Sequence, residues 1–360
     1  MNFWKKASAA FMAVTLCLSA ASCGDTSWAM KVEDTQVPAG IYILNQFSAY
    51  NDATSHEDFD AEKADIWDNK LDDKDLADWI NDTAADKTKE YIQIENMFAE
   101  AGLSLDNSDQ QTLDYYKSMQ WSSSEDIYND IGVAESSYES WMLNQLKKQK
   151  VFDYYYSAEG PAPVDEATLK ESFLANYAKV HMISFSLLDD TGAALDDEGK
   201  AAVKATADSY LQRAQQGEDM PSLIIDYQKQ QAADSESEFD ESTVDTTAQV
   251  IKKGEMSFTN YIPDAVNSGI FETAQIGQPI LLEDESGYYL VLKYDLTDDQ
   301  EAFEEVRSAI LSDLKSDEFD QIVSDAADGL KVTYNDEAID QFTAKKVYKA
   351  VTKMQEQSQQ

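Results

Sequence analysis

Cysteine and histidine are both scarce in this chain. Two of each occur among 360 residues: Cys17, Cys23, His56 and His181. Cys17 lies inside an apolar N-terminal segment that has the layout of an export signal, so its departure would leave no pair to oxidise, and disulfides take no part in stability. Two histidines are too few to furnish a transition-metal centre. Hydrolase and nucleotide signatures are equally missing: there is no Gly-x-Ser-x-Gly, no His-Glu-x-x-His and no phosphate-binding glycine loop. Positive charge is also short, with 28 Lys and Arg against 69 Asp and Glu, a formal charge of -41. A surface of that sign repels nucleic acid and anionic lipid alike, which excludes both as flat contacts. The one long apolar run, Ala7 to about Ala21, is shorter than the roughly 20 residues a membrane-spanning helix needs.

The first residues, "MNFWKKASAAFMAVTLCLSAASCGDTSW", place two lysines, that apolar run and small residues ahead of Cys23. Ala20-Ala21-Ser22-Cys23 is similar to a bacterial lipobox, with alanine at the position three before the cysteine where leucine is usual. The expectation is a signal over residues 1–22 and a lipid on Cys23, the only tether to the membrane, with plain secretion or an uncleaved anchor as the alternatives. The remaining chain is long enough for two or three domains with ordinary cores.

Apolar residues then recur at helical spacing from Ile41 to Phe47 behind Pro38, and again from about Lys74 to Tyr156. Between them, residues 51–73 are acidic and poor in aliphatics, which reads as a mobile loop or insertion carrying a solvated His56. Ser104 and Asp106 read as the start of a further helix. The many aromatics could form a sugar-binding platform, but their helical spacing suits core filling better. "EGPAPVDEATLK" breaks the helices and starts another at about Asp165. "KVHMISFSLL" follows as a strand, then a helix ending at Gly217. "DDTGAALDDEG" lacks the glycine and terminal glutamate spacing of a calcium loop. "MPSLIIDYQ" reads as a short helix and residues 229–248 as a polar loop. Pro279–Leu282 and Tyr288–Tyr294 form a hairpin around "EDESG". Thr297 and Gln300 offer a capping box for a long helix, and "LKVTY" and a last helix from Asn335 to about Lys353 close the chain.

The order of elements in residues 177 to 295 resembles the parvulin-type peptidyl-prolyl isomerase domain. Val180-His181-Met182-Ile183 matches its first strand, Gly217-Glu218-Asp219 the glycine ending its first helix, Ile276-Gly277-Gln278-Pro279 its turn, and Ser286-Gly287-Tyr288-Tyr289 its last strand. With a helical segment before it, a lipoprotein signal, and a helix and strand after it, the whole mature chain resembles the PrsA-type foldases of Gram-positive bacteria. The resemblance implies an α+β fold: a helical chaperone domain built from residues 23–176 and 297–360, with a four-stranded β-α-β domain inserted at 177–296. It implies a lipid-anchored, extracytoplasmic folding factor whose partners are unfolded exported polypeptides, with no cofactor and no metal, and it leaves a homodimer open.

An X-Pro bond exchanges over a barrier of about 18–20 kcal/mol, in tens to hundreds of seconds. A catalyst needs no covalent step; it has to favour the twisted amide over the planar one. Carried over by the resemblance, His181 falls on the family's first catalytic histidine, Ser286 on its hydroxyl residue, and Tyr289 where a second histidine is usual. Met256, Ile262 and Phe271 fall at or near the proline pocket, and the family's Cys or Asp position falls at about Gln230. His56 lies in a separate segment, so no histidine pair can form. Three readings follow: a folding factor with a working isomerase domain, a holdase or assembly scaffold in which that domain is inactive, and a solute- or glycan-binding lipoprotein. In the inactive case, His181 is a strand histidine held by Tyr289 or Ser286.

Overall fold

The computed structural model describes residues 27–189, 191–255, 262–349 and 352. Cys23 and Met256 therefore lie outside the described residues. The chain divides into two compact units, residues 1–163 with 315–360, and residues 164–314. No helix among the described residues is long and apolar enough to cross a membrane.

The first unit opens with strands β1 (Trp28–Val32) and β2 (Thr35–Pro38), then helix α1 (Ala39–Thr54), which starts behind Pro38 as its spacing predicts. A two-residue hairpin, β3 (Lys70–Leu71) and β4 (Lys74–Asp75), leads into α2 (Leu76–Glu100). Ala49 and Ala53 on α1 and Ala84 and Ala85 on α2 are all buried, and their small side chains let helix backbones approach closely. Asp106 then caps α3 (Asn107–Tyr116) through a full capping box, followed by a π-helical turn (Lys117–Trp121), α4 (Ser122–Asp130) and α5 (Glu135–Tyr155).

Residues 51–73 differ from the mobile loop expected. Aliphatics are few there, but Phe59 and Trp67 pack on the core, and Asn69, 1% exposed, donates to the carbonyls of Asp60 and Ile66 and accepts from the Asp60 N–H. His56 is likewise half-buried, its ring edge-on to Trp79 at 5.7 Å. Aromatic rings and one amide do the anchoring that aliphatic periodicity would have signalled.

The second unit begins with α6 (Glu166–Asn176), capped by Asp165, and β5 (Tyr177–Ser186). After α7 (Asp197–Gln215), Gly217 takes φ +95°, and α8 (Met220–Asp234) follows, longer than its apolar stretch implies. Then come β6 (Gln249–Lys252), α9 (Asp264–Glu272), β7 (Ile280–Glu283) and β8 (Gly287–Tyr294). The four strands form one antiparallel sheet in the order β6-β5-β8-β7.

Side chains alternate across a strand, and directly opposed residues of paired strands share a face. Ile183 and Phe185 therefore join Leu290 on one face, packed with Ala207, Tyr210, Leu223 and Ile224 of α7 and α8. Ala178 and Val180 join Tyr289 and Val291 on the other, with Val266 and Ile270 of α9. Both faces are covered, which explains why β5 reads as a nearly unbroken apolar run. Phe185, 1% exposed, alone contributes about 1.5–3 kcal/mol of burial.

The unit boundaries differ from the expected 176/177 and 296/297. Leu169 and Phe173 of α6 share one cluster with Tyr177, Leu296, Phe303 and Ile310, so α6 and the first half of α10 (Gln300–Ala327) belong with the sheet. The start of α10 also differs: Asp299 accepts from the Ala302 N–H as its cap, while the Thr297 hydroxyl is turned back to Asp295.

The rest of the chain belongs to the first unit. Strand β9 (Val332–Tyr334) pairs antiparallel with β1, making the sheet β2-β1-β9, and Asn335 donates to the Trp28 carbonyl at 2.7 Å. The last helix is not continuous. Helix α11 (Asp336–Gln341) stops at Phe342, whose φ, ψ of -111°, 63° is non-helical, and helix resumes at 344–349.

Candidate functional site

His181 sits in β5 opposite Leu292, on the sheet face covered by α7 and α8, and is 9% exposed. Its Nε2 lies 2.8 Å from the Thr246 carbonyl and its Nδ1 2.6 Å from the Tyr294 hydroxyl. A carbonyl only accepts, so Nε2 carries the proton, and in the neutral ring Nδ1 accepts the Tyr294 O–H. Tyr294 also meets the ring edge-on at 5.3 Å. Its hydroxyl pKa is raised, first by burial and then by the charge of Asp219. Asp219 and Asp245, close enough to feel His181, are themselves held low chiefly by hydrogen bonds from Ser222 and Thr247. The imidazole thus clasps the segment before β6 to the sheet, with both ring nitrogens in use.

Tyr289 is opposite Ser184, three positions along β5 from His181. An odd displacement puts the two side chains on opposite faces of the sheet. The expected hydrogen bond from His181 to Tyr289 or Ser286 is therefore not made. Instead, Ser286 Oγ donates to Asp284 Oδ1 at 2.6 Å and lies 2.7 Å from the Tyr289 hydroxyl. The carboxylate can only accept, so the proton order runs Tyr289 to Ser286 to Asp284. The Ser286 N–H also donates to Asp284 Oδ1, at 2.8 Å, closing a tight local turn. Gly287 follows because β5 leaves no room there: a Cβ would lie 2.6 Å from the Phe185 carbonyl oxygen.

The ring of Tyr289 packs in one cluster with Ile262, Val266 and Ile270, against the partly buried Met182, Phe271, Ile280 and Leu282. Lys293 Nζ stands 5.4 Å from the centre of the Phe271 ring and donates to the Ile270 carbonyl at 3.0 Å, and burial lowers its pKa. Four residues named from sequence, Ser286, Tyr289, Ile262 and Phe271, are thus gathered on one face. His181 is not with them. Gln230 is exposed on α8, where it accepts from the Tyr210 hydroxyl at 3.5 Å, on the His181 side of the sheet.

Asp284, Tyr294 and the Thr246 carbonyl were missed from sequence. Asp284-x-Ser286 ahead of a glycine is a readable turn signal. Tyr294 and Thr246 become partners of His181 only once the strand register is known.

Chemically, the Tyr289 and Ser286 hydroxyls can accept hydrogen bonds but have little to donate. Both hydroxyl protons are committed inward, leaving lone pairs beside an apolar surface. That arrangement suits an extended chain offering N–H groups and apolar side chains. The other histidine belongs to the one group of metal-ligating side chains found among the described residues, His56, Asp58 and Asp72, whose donor atoms lie within 4.8 Å of one another. There Nδ1 already accepts the Asp58 N–H at 3.1 Å, and the Trp79 indole donates to the Asp72 carboxylate.

No protein-family model and no curated protein matches the sequence. Solved structures similar to it include the foldase protein PrsA from Streptococcus pneumoniae, at 15% identity over 68% of this chain and 84% of that one, with a TM-score of 0.38. PrsA from Bacillus subtilis is 17% identical over 72% and 91%, at 0.33. PrsA from Lactococcus lactis is 13% identical over 88% and 100%, at 0.39. Its neighbours among solved structures are PrsA foldases. At such identities and TM-scores, function has to be read from the chain's own residues.

Proposed function

We propose that this protein is a lipid-anchored, extracytoplasmic folding factor that binds unfolded exported polypeptides, and that its four-stranded unit serves as a binding module rather than as an efficient isomerase. One observation carries the reading: among the described residues, none of the imidazole and hydroxyl groups expected to act on a twisting amide, His181, Ser286 and Tyr289, has a free proton to offer it. His181 has both nitrogens engaged beneath the opposite face, and the Tyr289 proton is directed at Ser286. The gathering of Tyr289, Ser286, Ile262 and Phe271 on one face favours a second reading, in which an X-Pro segment bound there exchanges faster. The anchor is the lipid on Cys23, and the acidic surface keeps the protein soluble beside apolar binding surface.

The test is NMR exchange on Xaa-Pro peptides with the wild type, His181→Ala and Tyr289→Phe, beside aggregation of an unfolded client. The expected result is suppressed aggregation without faster exchange. Acceleration lost in His181→Ala would restore a histidine-dependent isomerase, and acceleration lost only in Tyr289→Phe would establish the second reading. Failure to suppress aggregation would overturn the proposal altogether. Cys23→Ala should release the protein from the membrane fraction.

A further inference from the structure

Eight large apolar side chains are exposed among the described residues, and three of them, Tyr115, Tyr116 and Met119, lie within five positions of one another. Their exposures are 57%, 37% and 57%. They straddle the end of α3 and the π-helical turn Lys117–Trp121. Of α3's ten residues only Leu113 is buried, so this helix gives the core little and leaves most of its surface to solvent. The wider π turn explains how one short stretch faces both ways. Trp121 turns inward, 5% exposed and stacked on Tyr128 at 5.3 Å, while Met119 two residues earlier turns out. The Tyr115 and Tyr116 rings lie edge to face, 5.6 Å apart. Tyrosine and methionine provide contact area that tolerates varied partners, the first because it is large and amphipathic, the second because its thioether chain adapts.

Charge decides what such a patch takes up. From Asp106 to Asp130 the sequence holds six carboxylates and one basic residue, Lys117. Lys117 is already shared by Glu135 and Glu139, and the nearby Lys150 by Asp106 and Asp109. Asp114, Glu125 and Asp126 are exposed and form no ion pair among the described residues. An apolar patch with an acidic rim repels anionic lipid and a second copy of a chain carrying -41 charges.

We propose that the Tyr115–Tyr116–Met119 surface binds segments of unfolded polypeptide in which apolar residues alternate with lysine or arginine. This rests on the polypeptide-binding reading above and names its site and its preferred sequence class. Contact is made by the three exposed side chains, and selection for cationic segments by the carboxylates around them.

The test uses the protein with two fluorescent synthetic probes, one alternating leucine with lysine and one alternating leucine with glutamate, read by anisotropy at low and high salt. The lysine probe is expected to bind at least tenfold more tightly than the glutamate probe, with salt weakening it. Tyr115→Ser with Met119→Ser should weaken that binding about tenfold while the melting temperature holds, because both side chains are mostly in solvent. Asp114→Asn with Glu125→Gln and Asp126→Asn should weaken it less and flatten the salt dependence. Wild-type affinity in the Tyr115/Met119 variant, or equal affinity for both probes, would overturn the proposal. So would concentration-dependent self-association that the same variant abolishes, since the surface would then be a contact between copies. If the wild type neither binds the probes nor suppresses client aggregation, the polypeptide-binding reading itself fails. If it suppresses aggregation and the variant does so equally, only this site is wrong.

Discussion

Replacing Tyr294 by Phe tests whether His181 is a structural clasp. The substitution keeps the ring that meets the imidazole edge-on and removes only the hydroxyl 2.6 Å from Nδ1. His181 is 9% exposed, so in the variant Nδ1 is left inside the protein without its partner. A buried polar group stranded in this way costs about 1–3 kcal/mol. If that cost falls on the local opening that frees residues 244–249 from the sheet, the opening equilibrium shifts by roughly 5- to 150-fold. Hydrogen–deuterium exchange followed by mass spectrometry would report it as faster exchange in peptides spanning 244–252. Peptides covering the β7–β8 turn at 283–287 should be unchanged, because the Tyr289–Ser286–Asp284 chain is on the other face. His181→Ala, which also strips the Thr246 carbonyl of its donor, should give a larger effect at the same place. Unchanged exchange at 244–252 in Tyr294→Phe, or an equal change at 283–287, would refute the clasp.

Asn69→Ala should loosen residues 55–68, at a cost of about 1–3 kcal/mol for the groups left unpaired, seen as faster limited proteolysis in that segment. Gly287→Ala should lower the urea midpoint of the second unit, because its Cβ would meet the Phe185 carbonyl oxygen and β5 and β8 would have to part. Glu90 has its pKa raised in the folded protein, chiefly by burial. A carboxyl with a raised folded pKa binds its proton more tightly when folded, so its contribution is best at acid pH and declines as pH climbs through the unfolded and then the folded value. Glu90→Gln should therefore raise the melting temperature at pH 7 and change it little near pH 4. Asp299 is the opposite case, lowered first by its Lys179 hydrogen bond, so its stabilisation is present above the unfolded carboxyl value and fades as pH falls below about 4. Asp299→Asn should remove that acid-side slope in a series of melts.

Features fixed within a few residues were legible in the sequence. Asp106 and Asp165 cap the helices they announce, Gly217 ends one, and the hairpin around "EDESG" falls within two residues of its expected bounds. These depend on local backbone chemistry, which a short window contains. The face on which His181 falls was not legible, because it depends on register across strands more than a hundred residues apart. A one-residue change in that register would have brought His181 and Tyr289 to one face. The boundary at Pro163 was hidden for a related reason: Leu169 and Phe173 show that α6 is amphipathic but do not say which core receives them. Thr297 with Gln300 matched a capping pattern, yet Asp299, nearer the helix and a stronger acceptor, holds the position.

The pairing of β9 with β1 sets an order of assembly. Met30 opposes Tyr334, so the sheet of the first unit cannot close until almost the whole chain has been made. The second unit is one continuous stretch and has all it needs once Leu314 has appeared. As the chain emerges, the inserted unit can therefore finish while the unit that surrounds it in sequence still waits for its last strand, with β1 bearing an open edge and the helices following it only partly covered. A protein whose proposed work is to shelter unfinished chains would pass through the same exposed state while it is itself unfinished.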